Sequence, residues 1–411
     1  MSDVDPHGRS RRDQDRLRLL VHDYSGHPFQ VELSRELARR GHDVTHSYSE
    51  AYVSGKGNLR ALPGETLRFD SISHGVVVDK RFAVRLLQEL RAGVELARHV
   101  RRERPDVALM SNVQVATLAV FALAMVVSRI PWVLWHQDVY CVAVRSFAGA
   151  KLSKGYRVVA EAIEVSERWS SRRARAVVAI SASVAEVHQQ WGTGHKTTVI
   201  PNWAPLDEIV PVERKNDWSV EHRLDDTLTL LYSGNLGLKH DPALLVRLAR
   251  GVIDAGRDVR LVVVNDGPAA ELLRTESARL DVPLTLLPYQ PYERLSEVLS
   301  TGDLLVVLLE QDAGAFSVPS KTLSYLSAGR PVLGLMPAEN LAAELIERAG
   351  GGVWAPRADA VPAAAAWAAE LLGDPERLQT LGAASRALAE EEFGLPGLAD
   401  SFERILQEAA R

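Results

Sequence analysis

Val318-Pro319-Ser320-Lys321-Thr322-Leu323-Ser324-Tyr325-Leu326-Ser327-Ala328-Gly329-Arg330-Pro331 is the stretch whose reading decides the fold. The Pro-Ser pair opens a helix expected over 321–328. Gly329 stops it, because glycine takes the left-handed conformation that ends a helix at no steric cost. Just upstream, residues 304–309 read Leu-Leu-Val-Val-Leu-Leu, an apolar run of the kind a strand shows when both faces are buried. Downstream, 331–335 reads as the next strand. Strand, loop and helix in this order aim free backbone N–H groups and the positive end of a helix dipole at one point. With Ser320 as a cap and Lys321 as a full charge, that point suits a phosphate. An ordinary βαβ unit, with Gly329 only a helix stop, reads the same residues without a ligand.

The same alternation runs through the chain and predicts an α/β class with parallel sheets. In the first half, strands are expected over 17–22, 42–48, 107–110, 132–136 and 176–180, with helices over 29–40, 82–102, 151–171 and 182–191. Residues 204–226 are polar, proline-containing and aperiodic, which reads as a linker between domains. Strands resume over 229–233, 259–264, 284–287, 304–309, 331–335 and 352–354. The expected organisation is a polar tail over 1–16, a first domain over 17–203, the linker, a second domain over 227–392 and a terminal helix within 393–411.

Composition narrows the function. The chain has 411 residues, enough for two cores. Its single cysteine, Cys141, leaves no internal disulfide framework and fits a reducing cytoplasm. No Cys/His cluster has ligand spacing, so no metal is expected. The tail lacks the apolar core of a signal peptide. The 13 residues 115–127 carry no amide or charged group, but a bilayer span needs ~20, so a buried helix is expected there. Lys and Arg outnumber Asp and Glu 31 to 24 through Lys215 and fall behind 17 to 29 beyond it. The basic residues crowd into 81–104 and 151–175. Such helix faces attract anionic lipid headgroups by roughly 1 kcal/mol per charge. A solvated face is the other reading, and Glu161, Glu164 and Glu167 dilute the second stretch. Nucleic acid is not expected, because the net charge is −5 and no nucleic-acid module is present.

The opening stretch resembles the Pro-Ser-Lys…Glu-Tyr-Leu-Ala-Ala-Gly-x-Pro block of family 4 glycosyltransferases. Four more blocks match in order. Gly26-His27-Pro28-Phe29 precedes Leu37-Ala38-Arg39-Arg40-Gly41-His42-Asp43-Val44. Trp135-His136-Gln137-Asp138-Val139-Tyr140 and Ile200-Pro201-Asn202-Trp203 follow, then Tyr232-Ser233-Gly234-Asn235-Leu236-Gly237-Leu238-Lys239-His240. The resemblance implies the GT-B fold: two Rossmann-like domains whose parallel sheets face a central cleft, with the terminal helix crossing back onto the first domain. It also implies a retaining, metal-independent transfer from a nucleotide sugar, with no further cofactor.

Transfer from such a donor must stabilise charge growing on the leaving diphosphate. Gly234, Asn235 and Gly237 offer backbone that approaches phosphate closely. Lys239 stands where similar sequences carry a cation, and Ser320 and Lys321 are expected across the pocket. The resemblance puts the base and ribose near Tyr289, Gln290 and Ser324, with Tyr292 beside them. It puts the acceptor near Gly26, His27 and Gln137. Asp138, in the loop after strand 132–136, is the ionisable group expected to take the acceptor proton, and strand alternation turns His136 to the other side. Plain structural roles remain open for these residues: exposed loop lysines, a turn-capping aspartate, packed loop aromatics. One departure matters. The family's paired glutamates fall on Phe316 and Ser324, and Ser makes one hydrogen bond where a carboxylate accepts a charge-assisted pair.

The leading reading is a cytoplasmic glycosyltransferase at the inner face of the membrane. It would use a UDP- or GDP-sugar and a lipid-linked, cell-envelope or exopolysaccharide acceptor. The alternatives are transfer to a small natural product, or a nucleotide-binding protein with a degenerate site.

Overall fold

The computed structural model describes residues 16–24, 28–49, 59–72, 82–148, 154–236, 241–265, 269–311 and 320–411. All but the last residue of the expected tail therefore lies outside the described residues. The chain divides into two units, Met1–Asn202 with Leu395–Arg411, and Trp203–Gly394.

The first unit holds a seven-stranded sheet. Its strands are β1 (Arg18–Asp23), β2 (Asp43–Tyr48), β3 (Arg68–Ser71), β4 (Val107–Ser111), β5 (Trp132–His136), β6 (Ala176–Ala179) and β7 (Thr197–Val199). The order is β3-β2-β1-β4-β5-β6-β7, with every pairing parallel. β3 and β7 escape a sequence reading. Both are short, partly exposed edge strands without an apolar run.

The second unit holds β8 (Leu228–Ser233), β9 (Val259–Val264), β10 (Leu284–Leu287), β11 (Leu304–Leu308), β12 (Val332–Leu335) and β13 (Gly352–Trp354). Their order is β10-β9-β8-β11-β12-β13, again all parallel. Side-chain alternation splits the strands between two cores. Leu230, Tyr232, Leu261 and Val263 enter one cluster, and Leu231, Val262 and Val264 enter the other. Burial on both faces explains why these strands read as largely apolar runs without strict alternation.

Two expectations need correction or refinement, and a third, the terminal helix, stands. Residues 204–226 pack into the second unit instead of linking two bodies. Trp218 is fully buried, its short helix Asp217–Glu221 carries an Asn216/Ser219 capping box, and Arg214 pairs with Asp303 at 2.7 Å. Polar, proline-rich composition concealed one buried indole and one partnered arginine. The apolar helix Val115–Ser128 is buried on one side only, since Leu123, Val126 and Val127 stand exposed. The terminal helix Leu395–Ala410 belongs to the first unit. Its Phe402 stacks edge-on against Trp135 with centroids 4.7 Å apart. Arg40 gathers Glu36, Asp400 and Glu403. Phe402→Ala would empty a fully buried site, at a cost of about 3–5 kcal/mol.

Candidate functional site

In an open parallel sheet, ligands bind beyond the carboxyl ends of the strands where the strand order reverses. In the second unit that point lies between β8 and β11. The chain leaves β8 through Ser233-Gly234-Asn235, and the helix Ser320–Ser327 follows β11. Tyr325 joins the two: its hydroxyl accepts from Ser233 N at 2.8 Å and donates to Ser233 O at 3.0 Å. One helical turn earlier, Lys321 reaches the same place. Its Nζ donates to Tyr232 Oη and lies 4.0 Å from the centroid of that ring. Tyr232 in turn donates to Asn235 O at 3.0 Å.

The backbone requires glycine at 234, where φ is +140°, and Lys321 Nζ lies 2.9 Å from where a Cβ would stand. Lys321 has no carboxylate partner among the described residues. Burial lowers its pKa from 10.5 to about 7, because a desolvated ammonium without a counter-charge loses its proton readily. A half-buried cation on glycine backbone at a strand-order reversal is an arrangement that an anion would complete.

Asn265 extends this end of the sheet. Its Oδ1 accepts from Leu236 N at 2.9 Å, while Nδ2 is buried with no partner. Sequence reading passed over Tyr232, Tyr325 and Asn265. Tyr232 and Tyr325 stand inside the quoted blocks, with no role assigned to them there. Ser324, three residues after Lys321, is half-buried on the same helix. Gln290 has a structural task, since its side chain accepts from Trp218 Nε1 at 3.0 Å and donates to Pro288 O at 2.9 Å. Tyr289 and Tyr292 stand exposed after β10, with Tyr292 bonded to Glu208. The helix begins at Ser320. Gly237, Lys239 and Phe316 lie outside the described residues.

In the first unit, Gln137 and Asp138 follow β5. Gln137 donates to Asn202 at 3.4 Å, and Asp138 is exposed. His136 is not turned away from them: it lines the same small hollow, with Asn112, Tyr140 and Glu167. The hollow's volume is about 20 Å³, room for roughly one water.

A buried relay orients His136. Thr193 Oγ1 donates to His188 O at 3.1 Å, so it accepts from His188 Nδ1 at 3.0 Å. His188 Nε2 then accepts from His136 Nδ1 at 2.9 Å. That leaves His136 Nε2 as the open position, 3.8 Å from Glu167 Oε1. Burial, followed by the neighbouring His136, lowers the His188 pKa to about 3. Glu167 accepts from the Tyr140 and Cys141 backbone N–H groups at 2.8 and 3.0 Å, closing the start of helix Tyr140–Ala148. Gly26 and His27 lie outside the described residues.

Among the described residues, Asp70, His99 and Glu103 form the one grouping of metal-ligand type. Arg102 Nη2 donates to His99 Nδ1 at 3.3 Å, which puts the ring proton on Nε2, facing Asp70 at 3.7 Å. The Arg102 guanidinium beside His99 already supplies positive charge to these carboxylates, and the groups form a polar cluster.

Residues 29–208 match the family described as Glycosyltransferase Family 4. A protein described as a colanic acid biosynthesis glycosyl transferase, WcaI of Escherichia coli strain K12, is 26% identical over 204 residues, 48% of this chain. The match spans about half the length of that curated relative, 49%. Among solved structures, Anabaena HepE in complex with UDP and glucose superposes with a TM-score of 0.70 at 15% identity, covering 95% of this chain and all of that one. Sucrose-phosphate synthase from Thermosynechococcus elongatus superposes with a TM-score of 0.68 at 15% identity, covering 96% and 99%. Residues 29–208 are thus similar to the family 4 glycosyltransferases, and the two parallel-sheet units have the GT-B fold.

Proposed function

We propose that this chain transfers a sugar, with retention and without a metal, from a UDP- or GDP-sugar to an acceptor hydroxyl. The observation that carries the reading is Lys321, a half-buried cation with no carboxylate partner among the described residues, held against Gly234 at the strand-order reversal. The donor diphosphate would lie along Gly234, Asn235 and Gly237, with Lys239, Lys321 and the helix start at Ser320 around it. As the bond from the anomeric carbon to the phosphate oxygen breaks, its electron pair goes to the diphosphate. The cations and backbone N–H groups stabilise that charge where it develops. The acceptor oxygen forms its bond on the face the phosphate leaves, and its proton passes to the departing phosphate or to Asp138. Ribose and base would rest near Ser324, Tyr289 and the Gln290 backbone. The acceptor would approach Gly26, His27 and Gln137.

The resemblance to a colanic acid biosynthesis protein favours a lipid-linked or envelope glycan as acceptor, used at the inner face of the membrane. Serine at 324, where the family carries glutamate, favours one rival reading: nucleotide binding without turnover. A thermal-shift panel of UDP- and GDP-sugars, followed by assay of nucleotide release, separates the two. Stabilisation with release that depends on added acceptor supports transfer. Stabilisation with no release from any sugar nucleotide would leave a binding protein.

A further inference from the structure

Ten of the eighteen large apolar side chains that stand exposed among the described residues lie on three helices of the first unit. The helices are Phe82–Glu103, Val115–Ser128 and Lys154–Arg173, and the second packs against both of the others. The first two nearly touch: a Cβ added at Gly93 would meet Val120 Cβ at 2.7 Å and Thr117 O at 2.8 Å. Thr117 Oγ1 also donates to Glu89 O at 2.8 Å. Their outward residues therefore make one surface.

Its middle is apolar. Val115–Ser128 has no charged residue, and Val127 is 74% exposed at its outer end. Beside it Leu87 is 68% exposed, with Leu90 and Val94 along the same stripe. Val158 and Val165 continue the surface on the third helix.

Its margin is basic at the ends of the first two helices, while exposed Glu161 stands between Val158 and Val165 on the third. Where the leucine stripe ends, the same helix face carries exposed Arg98, Arg101 and Arg102, and Arg129 follows the middle helix. Arg98, Arg101 and Arg129 have no carboxylate partner among the described residues. No described helix is long and apolar enough to cross a membrane.

We propose that this three-helix face docks on a bilayer bearing anionic lipids. The leucines and valines enter the boundary between acyl chains and headgroups, and the arginines meet the lipid phosphates. Charge complementarity selects this occupant. A two-fold dimer through the same face would bring identical arginines toward one another, whereas an anionic surface pairs them. The proposal deepens the membrane-side reading above and rests on it for its purpose. Its observation is independent of sugar transfer, so vesicle binding and nucleotide release can fail separately.

The test is flotation of the full chain with phosphatidylcholine vesicles, with and without phosphatidylglycerol. Binding at least tenfold stronger to the anionic vesicles is expected. Arg98→Gln and Arg101→Gln should each weaken it about fivefold. Leu87→Glu with Val127→Glu should abolish it while the melting temperature holds, because both positions are exposed. Absence of wild-type binding, or unchanged binding by the double variant, overturns the proposal. So does a concentration-dependent dimer that the double variant dissociates without any vesicle binding, which would make a second copy the occupant.

Discussion

Replacing Lys321 by methionine keeps the length and removes the charge, and the structure sets what should follow. With a pKa of about 7, the free side chain is half protonated at neutral pH. A bound diphosphate supplies the missing counter-charge and returns the group to its ammonium form. Binding should therefore take up ~0.1 proton at pH 6, ~0.5 at pH 7 and ~0.9 at pH 8. Affinity should be complete below pH 7 and fall by up to about tenfold per unit above it, until the raised pKa of the complex is reached. Calorimetry in buffers of different ionisation enthalpy reads the uptake directly. UDP-glucose, or whichever nucleotide sugar the thermal-shift panel selects, is a suitable ligand because its diphosphate does not titrate in this range. In Lys321→Met the uptake should vanish and the affinity become flat with pH. The folded protein should not suffer. A lysine whose native pKa lies below its unfolded value costs nothing above pH 10.5, and the cost grows as pH falls toward 7. At neutral pH the variant should melt no lower than wild type. No uptake at pH 8, or the same uptake in the variant, would refute the assignment of Lys321 to the diphosphate.

Lys239→Ala should lower turnover by roughly 10²–10³ with the melting temperature unchanged, as loss of one strong transition-state contact does; activity within about threefold of wild type would remove Lys239 from the site. EDTA should leave initial rates unaltered, because helix ends and lysines take the place of a cation; loss restored by magnesium or manganese would contradict this. Ser324→Glu should hold or strengthen nucleotide affinity, since a carboxylate accepts two ribose hydroxyls, whereas a fall of more than tenfold at constant melting temperature would mean a different ribose contact. Acid should weaken the first unit: burial holds His22, His46 and His188 neutral with pKa values of about 3. Stability is then complete above pH 6.5 and lost as pH falls toward 3, by about 2 kcal/mol per histidine at pH 5. His46→Phe, at a position already 5.5 Å from the Phe69 ring, should flatten that acid limb in melting curves.

The sequence disclosed what periodicity and punctuation encode. The inner strands β9, β11 and β12 of the second unit are buried on both faces and stand out as apolar runs, while the edge strands β10 and β13 are half-buried. Gly329 stops its helix with φ +62°, as a glycine between a helix and a proline should. What stayed hidden depends on partners far along the chain. Trp218 in a polar stretch gave no local sign that Gln290 would take its indole proton. His136 seemed to point away by strand alternation. Yet it ends its strand, where the pleat no longer dictates direction, and His188, 52 residues later, holds its ring. The helix over 115–127 looked wholly buried because hydropathy does not say which side of a helix is covered.

Position 324 links the family departure to the unusual lysine. On a helix, residues three apart are neighbours, and a glutamate there would pair with Lys321 and support its charge. Serine provides no such support, and burial then lowers the lysine pKa to about 7. If a carboxylate at 324 would pair with Lys321, the missing carboxylate and the unpaired cation are two aspects of one substitution. On the proposed reading the donor diphosphate would take over the part of counter-charge to Lys321, and nucleotide binding would be coupled to proton uptake. Ser324→Glu should break that coupling. A carboxylate at 324 would raise the Lys321 pKa before any ligand arrives, and uptake at pH 8 should drop toward zero even where affinity rises. A variant that binds more tightly and still takes up a proton would mean that the two positions act independently. The low lysine pKa would then belong to burial against Tyr232 alone.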